Sequence, residues 1–416
     1  MGRQSSGPWR RRAASSSPRV ALLRVGSCVL ARHSPVTTLG AAEFPTRVTS
    51  LLRTLVVSDL HLGTQSGRDV LRGAAVRERL LAALSDCDRL VLLGDVLELR
   101  HGPVHGALNA AEPVLREIGG ALGAGREVVI VPGNHDHHLL APWLERRGFG
   151  ASSSDLRLES PVDWRSGEAL ATVADSLAPA DIRAAYPGTW LREEVYATHG
   201  HYCDRHTTVP MFERLGAGVM ARVVHEPEGG PHRAEDYEAV LAPMYAWVHA
   251  VAQSGGPKLG ESSHGASARA WRALSGSDGR RSIRRRGLIA AFPMIVAGMN
   301  RAGFGPLRAD ISGPELRRAA LLAFGEVLGR LDVRAEHVIF GHTHRAGPLP
   351  RDDRSEWRAE TGARLLNTGS WIHEPGFLGD FPQRSPYRPG FGALLGDEGP
   401  PELVNLLDEA TEPSQA

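Results

Sequence analysis

Five short blocks of this sequence carry side chains that bind divalent metal ions. The blocks are Asp59-Leu60-His61, Gly94-Asp95, Gly133-Asn134-His135-Asp136, His199-Gly200-His201 and Gly341-His342-Thr343-His344. The alternation within the first and last blocks places two donors on the same side of an extended segment. A lone Asp-x-His pair is more often a surface turn. Burying five such blocks together is costly unless their groups are paired or bound to metal. The sequence therefore predicts a metal site.

The donor types also indicate what chemistry such a site performs. Oxygen and imidazole ligands suit manganese, with iron or zinc as alternatives. No cysteine lies within the blocks, which argues against a structural zinc site. Two ions about 3.5–4 Å apart can share a carboxylate and hold a hydroxide that attacks phosphorus. Glycine precedes Asp95, Asn134 and His342, where it lets the backbone approach the ions. We therefore predict two divalent metal ions and hydrolysis of a phosphate ester.

The elements that position these blocks are short apolar strands. Each block follows one of the predicted strands, which are 54–57, 89–93, 127–131, 194–198 and 337–340. Helical periodicity over 76–84 and 107–122 separates the first three strands. Alternating strands and helices predict an α/β fold with a partly parallel sheet. Three further short runs, 365–366, 392–395 and 403–406, are predicted to close the sheet.

The segment between the fourth and fifth blocks is far longer than the dozen or so residues a crossover needs. We predict that 202–330 forms a mostly helical insertion or cap. Its predicted helices are 211–225, 236–253, 266–274, 287–300 and 314–330. The predicted metal-binding core then comprises 51–201 and 331–408.

The first 50 residues have a different composition, rich in arginine and serine with no acidic residue before Glu43. Such a segment cannot build a core, and we predict a disordered basic tail. A targeting peptide, a twin-arginine export signal and a mis-assigned start are the alternatives. Three scattered cysteines indicate a reducing compartment, and we expect a cytoplasmic protein.

Charge and hydropathy limit the classes of binding partner that we expect. Lysine and arginine number 48 and aspartate and glutamate 47, so that a net charge of +1 gives no bulk reason to expect nucleic acid. No apolar run is long enough to span a bilayer. The basic run 280–286 precedes the apolar run 287–300, which indicates peripheral membrane contact through 280–300 or a lid over a greasy substrate. The alternative is an amphipathic helix packed on the core of the insertion. The expected partner is a phosphate-containing small molecule or a lipid-linked substrate.

The five blocks resemble the calcineurin-like metallophosphoesterase superfamily over 54–200 and 335–371. Ser58-Asp59-Leu60-His61-Leu62 and Gly341-His342-Thr343-His344-Arg345 resemble the branch that contains the UDP-2,3-diacylglucosamine pyrophosphohydrolases. Asn367-Thr368-Gly369-Ser370 is similar to the closing strand of the family. The resemblance implies a four-layer α/β/β/α sandwich around two metals, and hydrolysis of a phosphate ester or pyrophosphate by attack of a metal-bound hydroxide.

The resemblance also implies a role for each residue. The first ion is expected to bind Asp59, His61, Asp95 and His344. Asp95 is expected to bridge to the second ion, which Asn134, His199 and His342 complete. His135 is expected to protonate the leaving oxygen, with Asp136 orienting it. Glu98 takes the place that aspartate often holds after the Gly-Asp motif.

Three residues near the motifs are candidates for substrate binding. Arg345 and Arg100 suit bidentate contacts to phosphate, although Arg100 is as easily a solvated loop charge. His201 is either a donor behind the ligands or a turn residue that accompanies His199. The alternative functions are a phosphoprotein or cyclic-nucleotide phosphoesterase, or a non-catalytic metal-binding scaffold of the same fold.

Overall fold

Runs of valine, leucine and isoleucine form the parallel centre of the sheet. Strands β1 (Thr54–Val57), β2 (Arg89–Leu93) and β3 (Glu127–Val131) pair in parallel, with Val91 between Val56 and Val129. Nearly every residue of these strands is buried, as expected for strands covered on both faces. Their predicted bounds are confirmed.

The computed structural model describes residues 52–148, 156–224, 226–254, 283–310 and 312–408. Residue 212 and residues 283–290 are described by their backbone alone. The predicted tail over 1–50 and the predicted helix over 266–274 lie outside the described residues.

Helices connect these strands. The described helices before the fourth block are α1 (Ala74–Ser85), α2 (Val104–Leu122), α3 (Ala141–Arg146) and α4 (Ala169–Ser176). The first two were predicted from periodicity, and each begins two or three residues earlier than predicted. Helix α2 packs between α1 and α4.

One long strand, β5 (Asp181–Arg192), was not predicted because Pro187 and Gly188 lie at its centre and are typical of a turn. Its first residues pair in parallel with β3, and its last residues pair antiparallel with β6 (Val195–Thr198). The short strand β4 (Glu159–Pro161) pairs with the middle of β5. Pro187 lies where β5 changes partners, a position that tolerates a residue without an N–H donor.

The remaining strands extend the sheet in both directions. They are β7 (His337–Phe340), β8 (Arg364–Asn367), β9 (Phe391–Leu395) and β10 (Glu402–Asn405). The strand order is β10-β9-β1-β2-β3-β5-β6-β7-β8, in which β9 is antiparallel to β1 while β6, β7 and β8 are parallel. The α/β class is therefore confirmed as a mixed fold with a central sheet and helices.

Between β6 and β7 the described residues contain helices and no strand. These helices are α5 (Phe212–Val223), α6 (Ala234–Gln253), α7 (Ile283–Arg301) and α8 (Gly313–Arg330). Tyr237, Val240 and Leu241 of α6 share one apolar cluster with Leu55 and Leu90 of the sheet. This shared cluster fixes α6 against the core. A last short helix, α9 (Pro375–Leu378), follows β8. Among the described helices, none has the combined length and hydropathy needed to cross a bilayer.

Two adjacent glycines of α2 allow a test of how this helix packs against the residues that follow α4. A Cβ at Gly119 would overlap the main-chain carbonyl of Leu177, whereas a Cβ at Gly120 meets nothing within 4 Å. We expect Gly119→Ala to lower the free energy of unfolding by about 1–3 kcal/mol through overpacking. Denaturant-induced unfolding measures this change.

Gly120→Ala is the matched control. Because it removes backbone freedom from the unfolded chain at an open helical position, it is expected to raise the free energy of unfolding by about 0.5–1 kcal/mol. Equal effects of the two substitutions would contradict the packing of α2 against the residues that follow α4.

Candidate metal centre

The structure brings the predicted ligands together because their blocks follow strands of one sheet. Asp59 and His61 follow β1, Asp95 follows β2 and Asn134 follows β3. The remaining ligands, His199, His342 and His344, follow β6 and β7, which are parallel to each other. All of these side chains except those of His342 and His344 are buried. The centre therefore opens to solvent on the side of β7.

Backbone strain marks the same positions. Positive φ angles occur at five of the predicted ligands: Asp59 (55°), His61 (46°), Asp95 (53°), His342 (67°) and His344 (57°). Among the other described non-glycine residues, only Asp332 shares this conformation. Each such residue costs of order 1–3 kcal/mol and persists only where its surroundings fix it, typically at functional sites.

Glycine is required before the predicted ligands because other side chains lie very close to the glycine backbone. A Cβ at Gly94 or Gly133 would collide with the ring of His199, and one at Gly341 would collide with the carboxylate of Asp59. Their role is therefore to leave room for the ligand side chains themselves.

Asp59, His61 and His344 form one cluster. His344 Nε2 lies 3.2 Å from Asp59 Oδ1 and 3.3 Å from His61 Nε2. Asp59 Oδ1 is buried and accepts no hydrogen bond from the described residues. A buried oxygen that faces two imidazole nitrogens in this way fits a divalent cation.

Asp95, Asn134, His199 and His342 form the adjacent cluster. His199 Nε2 is 3.2 Å from Asp95 Oδ2, and Asn134 Oδ1 is 3.1 Å from both His199 Nε2 and His342 Nδ1. The opposite amide orientation would instead direct the Asn134 oxygen towards Arg100. A cation among these atoms favours the orientation with the oxygen inward. Its donor set, like that of the first cluster, suits a divalent ion.

Asp95 connects the two clusters. Its Oδ2 atom lies 3.2 Å from His199 Nε2 and 3.8 Å from His61 Nε2. Burial alone would raise the pKa of Asp95, but the positive potential of His199 and His61 outweighs burial and holds this pKa well below its usual range. Asp95 is thus an ionised carboxylate placed to share two ions.

Two of the predicted ligand histidines each have one ring nitrogen fixed by a neighbouring residue. His199 Nδ1 lies 2.9 Å from the Leu93 carbonyl oxygen, so that Nδ1 donates and Nε2 faces the cluster. His61 Nδ1 lies 3.1 Å from Glu98 Oε2, which leaves His61 Nε2 for the first cluster. Such outer contacts fix the tautomer and orientation of metal-binding imidazoles.

A carboxylate not recognised in the sequence fixes a third histidine. Asp204 Oδ1 is 2.8 Å from His342 Nε2, so that His342 presents Nδ1 to the second cluster. Asp204 lies in the 3-10 helix His201–Arg205. Its position just after the fourth block was the available signal, but no spacing motif distinguishes it from the start of the insertion.

The prediction that Asp136 orients His135 is wrong. His135 Nδ1 lies 2.8 Å from Glu98 Oε2, so that Glu98 orients this ring. The two oxygens of Asp136 instead accept backbone N–H groups, including those of Gly133 at 2.6 Å and Val96 at 2.8 Å. Asp136 therefore joins the loop after β2 to the loop after β3. In the sequence, Glu98 stands out only because it takes the place that aspartate often holds after the Gly-Asp motif. In the structure it orients both His61 and His135.

The surroundings of His135 keep its imidazole neutral. Burial and the nearby positive charge of Arg100 lower the pKa of His135 to about 4, against the opposing influence of Glu98 and Asp95. Arg100 Nη1 lies 3.4 Å from His135 Nε2. With Nδ1 donating to Glu98, the Nε2 lone pair accepts from Arg100.

The three predicted substrate residues have different outcomes. Arg100 is buried beside His135, so that it is not a solvated loop charge. His201 lies behind the ligands, with Nε2 3.0 Å from the Tyr186 hydroxyl. Both terminal nitrogens of Arg345 pair with Asp352, at 2.9 and 2.6 Å, and the contact of Arg345 with substrate stays a prediction.

Comparison with known proteins agrees with this site. The model of the calcineurin-like phosphoesterase family matches residues 52–272, more than half of the chain, so that this protein belongs to that family. No curated protein matches it. A solved dimetal phosphatase from Danio rerio is similar, at 12% identity and a TM-score of 0.30, over 85% of this chain and 99% of that chain. The family and the two donor clusters together support a metal-dependent phosphoesterase.

Substitution of the two buried carboxylates separates their roles. Glu98→Gln weakens the orientation of His61, and we expect metal affinity to fall roughly 10- to 100-fold, as for other outer-contact substitutions. Asp136→Asn places an amide donor against backbone donors, and we expect the free energy of unfolding to fall by about 1–3 kcal/mol. Metal titration and chemical unfolding measure the two effects.

The nuclear magnetic resonance signals of the His135 ring provide the control. The nitrogen chemical shifts of His135 should change in Glu98→Gln because its Nδ1 loses a carboxylate acceptor. A change in Asp136→Asn with none in Glu98→Gln would show that Asp136, after all, orients His135.

Proposed function

We propose that this protein is a binuclear metal-dependent hydrolase that cleaves a phosphate ester or pyrophosphate bond. The observation that carries the proposal is the position of the buried Asp95 carboxylate between two clusters of oxygen and imidazole donors. We assign Asp59, His61, Asp95 and His344 to one ion, and Asp95, Asn134, His199 and His342 to the other. Manganese fits these donors, and iron or zinc are the alternatives.

When bound, the two ions supply Lewis acidity to the phosphoryl oxygens and activate water as the nucleophile. The protein fixes the donor geometry before reaction, since Glu98, Asp204 and the Leu93 carbonyl hold His61, His342 and His199. Charge that develops on phosphorus then meets preorganised partners.

His135 is assigned to the leaving oxygen. Its Nδ1 atom is held by Glu98, which leaves Nε2 for proton transfer. Arg100 occupies that nitrogen in the structure, 3.4 Å away. Phosphate bound beside Arg100 neutralises the positive charge of its guanidinium, which favours protonation of His135 Nε2. His135 is then able to donate this proton as the ester bond breaks.

The Glu98–His135 pair favours an enzyme over a scaffold of the same fold. A protein that only binds metal has no use for an imidazole oriented by a buried carboxylate and directed at the centre. The substrate class is proposed more broadly: a nucleotide-linked lipid of the diacylglucosamine type, a cyclic nucleotide and a phosphoprotein remain the candidates.

Two substitutions separate metal binding from turnover. We expect Asp95→Asn to lose metal and activity together, because it removes the carboxylate shared by both ions. His135→Ala should keep two metals per chain and lose about 10²–10⁴-fold in turnover, the usual contribution of a general acid. Elemental analysis and hydrolysis of mono- and bis-p-nitrophenyl phosphate with manganese measure both effects.

The wild-type protein is the reference for both assays. Full turnover by His135→Ala would contradict its assignment. Two bound metals in the wild type without hydrolysis of either ester or of a lipid-linked nucleotide diphosphate would favour the scaffold.

We further propose that the segment 280–300 contacts anionic lipid. The sequence places five arginines in 280–286. On α7 the side chains of Met294 and Ile295 are 71% and 48% exposed. Basic residues followed by exposed apolar side chains suit an interfacial helix on an anionic bilayer. Such a contact would suit a lipid-linked substrate.

Vesicle flotation tests this contact. We expect the protein to float with vesicles containing phosphatidylserine at low salt, and Met294→Asp/Ile295→Asp to float at least about threefold less, because two apolar contacts are lost. Leu322→Asp on α8, where the leucine is 59% exposed, is the matched control and should bind as the wild type does. Equal flotation of both variants, or none by the wild type, would rule out the contact.

A further inference from the structure

Buried polar atoms without partners gather on the side of the centre covered by α5 and α6. Arg100 Nε, Asp204 Oδ2 and the Tyr245 hydroxyl make no hydrogen bond within the described residues. Their residues are only 3–5% exposed. An unsatisfied buried polar group is costly. Three such groups close together therefore suit a polar ligand.

The geometry joins these atoms into one group. The Arg100 guanidinium lies 5.2 Å from the centre of the Tyr245 ring, and Arg100 Nη1 lies 4.0 Å from Glu213 Oε1. Burial and the negative charge of Asp204 raise the pKa of the Tyr245 phenol well above its usual value, against the opposing influence of Arg100. The 3-10 helix His201–Arg205, which carries Asp204, packs against both α5 and α6.

Arg100 and Glu213 lie close together without a hydrogen bond between them. At 4.0 Å their nitrogen and oxygen are too far apart for a hydrogen bond. An oxygen placed beside this gap lies within about 2.8 Å of both, the usual length of such bonds. Asp204 bonds His342 through Oδ1 and so leaves Oδ2 for the same ligand.

The mixture of donors and acceptors defines the ligand chemistry. Arg100 Nε–H requires an acceptor, Asp204 Oδ2 requires a donor, and the Tyr245 hydroxyl serves as either. An ammonium group offers only donors and is repelled by Arg100. An alcohol hydroxyl offers a donor and an acceptor, and two neighbouring hydroxyls satisfy the whole group.

We propose that Arg100, Asp204, Glu213 and Tyr245 form a subsite that binds hydroxyl groups on the leaving group of the substrate. This proposal rests on the proposed phosphoesterase function. His135 Nε2, to which the leaving oxygen is assigned, is 3.4 Å from Arg100 Nη1. Hydroxyls on the neighbouring carbons therefore reach the subsite. The substrate class is a phosphorylated polyol, such as a sugar phosphate or the ribose of a nucleotide, and α5 and α6 supply Glu213 and Tyr245 to recognise it.

The test uses two non-hydrolysable phosphonates that differ only by hydroxyls: dihydroxybutylphosphonate, the carbon analogue of glycerol phosphate, and butylphosphonate. Calorimetry on the manganese-loaded protein is expected to show roughly tenfold tighter binding of the dihydroxy compound. In Tyr245→Phe this preference should fall at least about threefold, whereas the affinity for butylphosphonate stays the same. Tyr387→Phe, which removes a phenol oxygen outside the subsite, is the matched control and should keep the full preference.

Thermal unfolding separates recognition from folding. Because the Tyr245 hydroxyl makes no hydrogen bond within the described residues, Tyr245→Phe should melt no lower than the wild type. Equal binding of the two phosphonates by the wild type, or an unchanged preference in Tyr245→Phe, would overturn the subsite.

Turnover of glycerol phosphate and propyl phosphate separates this proposal from the proposed function. Hydrolysis of both esters at equal kcat/KM, with no preference in binding, leaves the phosphoesterase standing and removes the subsite. A binding preference without hydrolysis of any ester keeps the subsite and removes the phosphoesterase.

Discussion

The ionised carboxylate of Asp95 is the group around which the rest of this structure is arranged. A buried negative charge persists only with positive or hydrogen-bonding partners, and here His199 and His61 hold the pKa of Asp95 well below the usual range despite burial. The backbone N–H of His135 donates to Asp95 Oδ1 at 2.7 Å. Asp136 then joins the loops that carry these residues by accepting their backbone N–H groups. Fixing one carboxylate thus fixes two loops, and each loop carries further ligands.

Two outer carboxylates contact the histidines of the candidate centre. Glu98 contacts a ligand of the first cluster, His61, and the assigned proton donor, His135, through the same oxygen. Asp204 has the corresponding contact with His342 of the second cluster. A change at either carboxylate therefore alters more than one histidine. The proposed subsite beside Arg100 would add a third connection, because the 3-10 helix that carries Asp204 packs against α6.

The sequence predicted the parts of the fold that depend on local pattern. The parallel strands β1, β2 and β3 were predicted at their observed bounds because each is a short apolar run closed by a glycine or polar turn. Strand β5 was not predicted, since Pro187 is tolerated there only through a change of pairing partners, which is a tertiary property. The four-layer α/β/β/α sandwich stays a prediction.

In the candidate site, too, the sequence predicted local features but not tertiary contacts. Ligand types and their positions after strands were readable from spacing, whereas the contacts of the outer residues were not. Asp136 follows His135 in sequence but faces the backbone, and Glu98 reaches His135 from another loop. Arg345 follows His344 but pairs with Asp352. Adjacency in sequence is a poor guide to which side chain orients which, because successive residues of a turn point in different directions.

We infer that the buried carboxylate of Asp95 is shared by two metal ions. Anomalous diffraction from crystals grown with manganese tests this sharing most directly. We expect two manganese peaks about 3.5–4 Å apart, both bound to Asp95, one also bound to Asp59, His61 and His344 and the other to Asn134, His199 and His342. A single peak, or two peaks of which only one contacts Asp95, would contradict it.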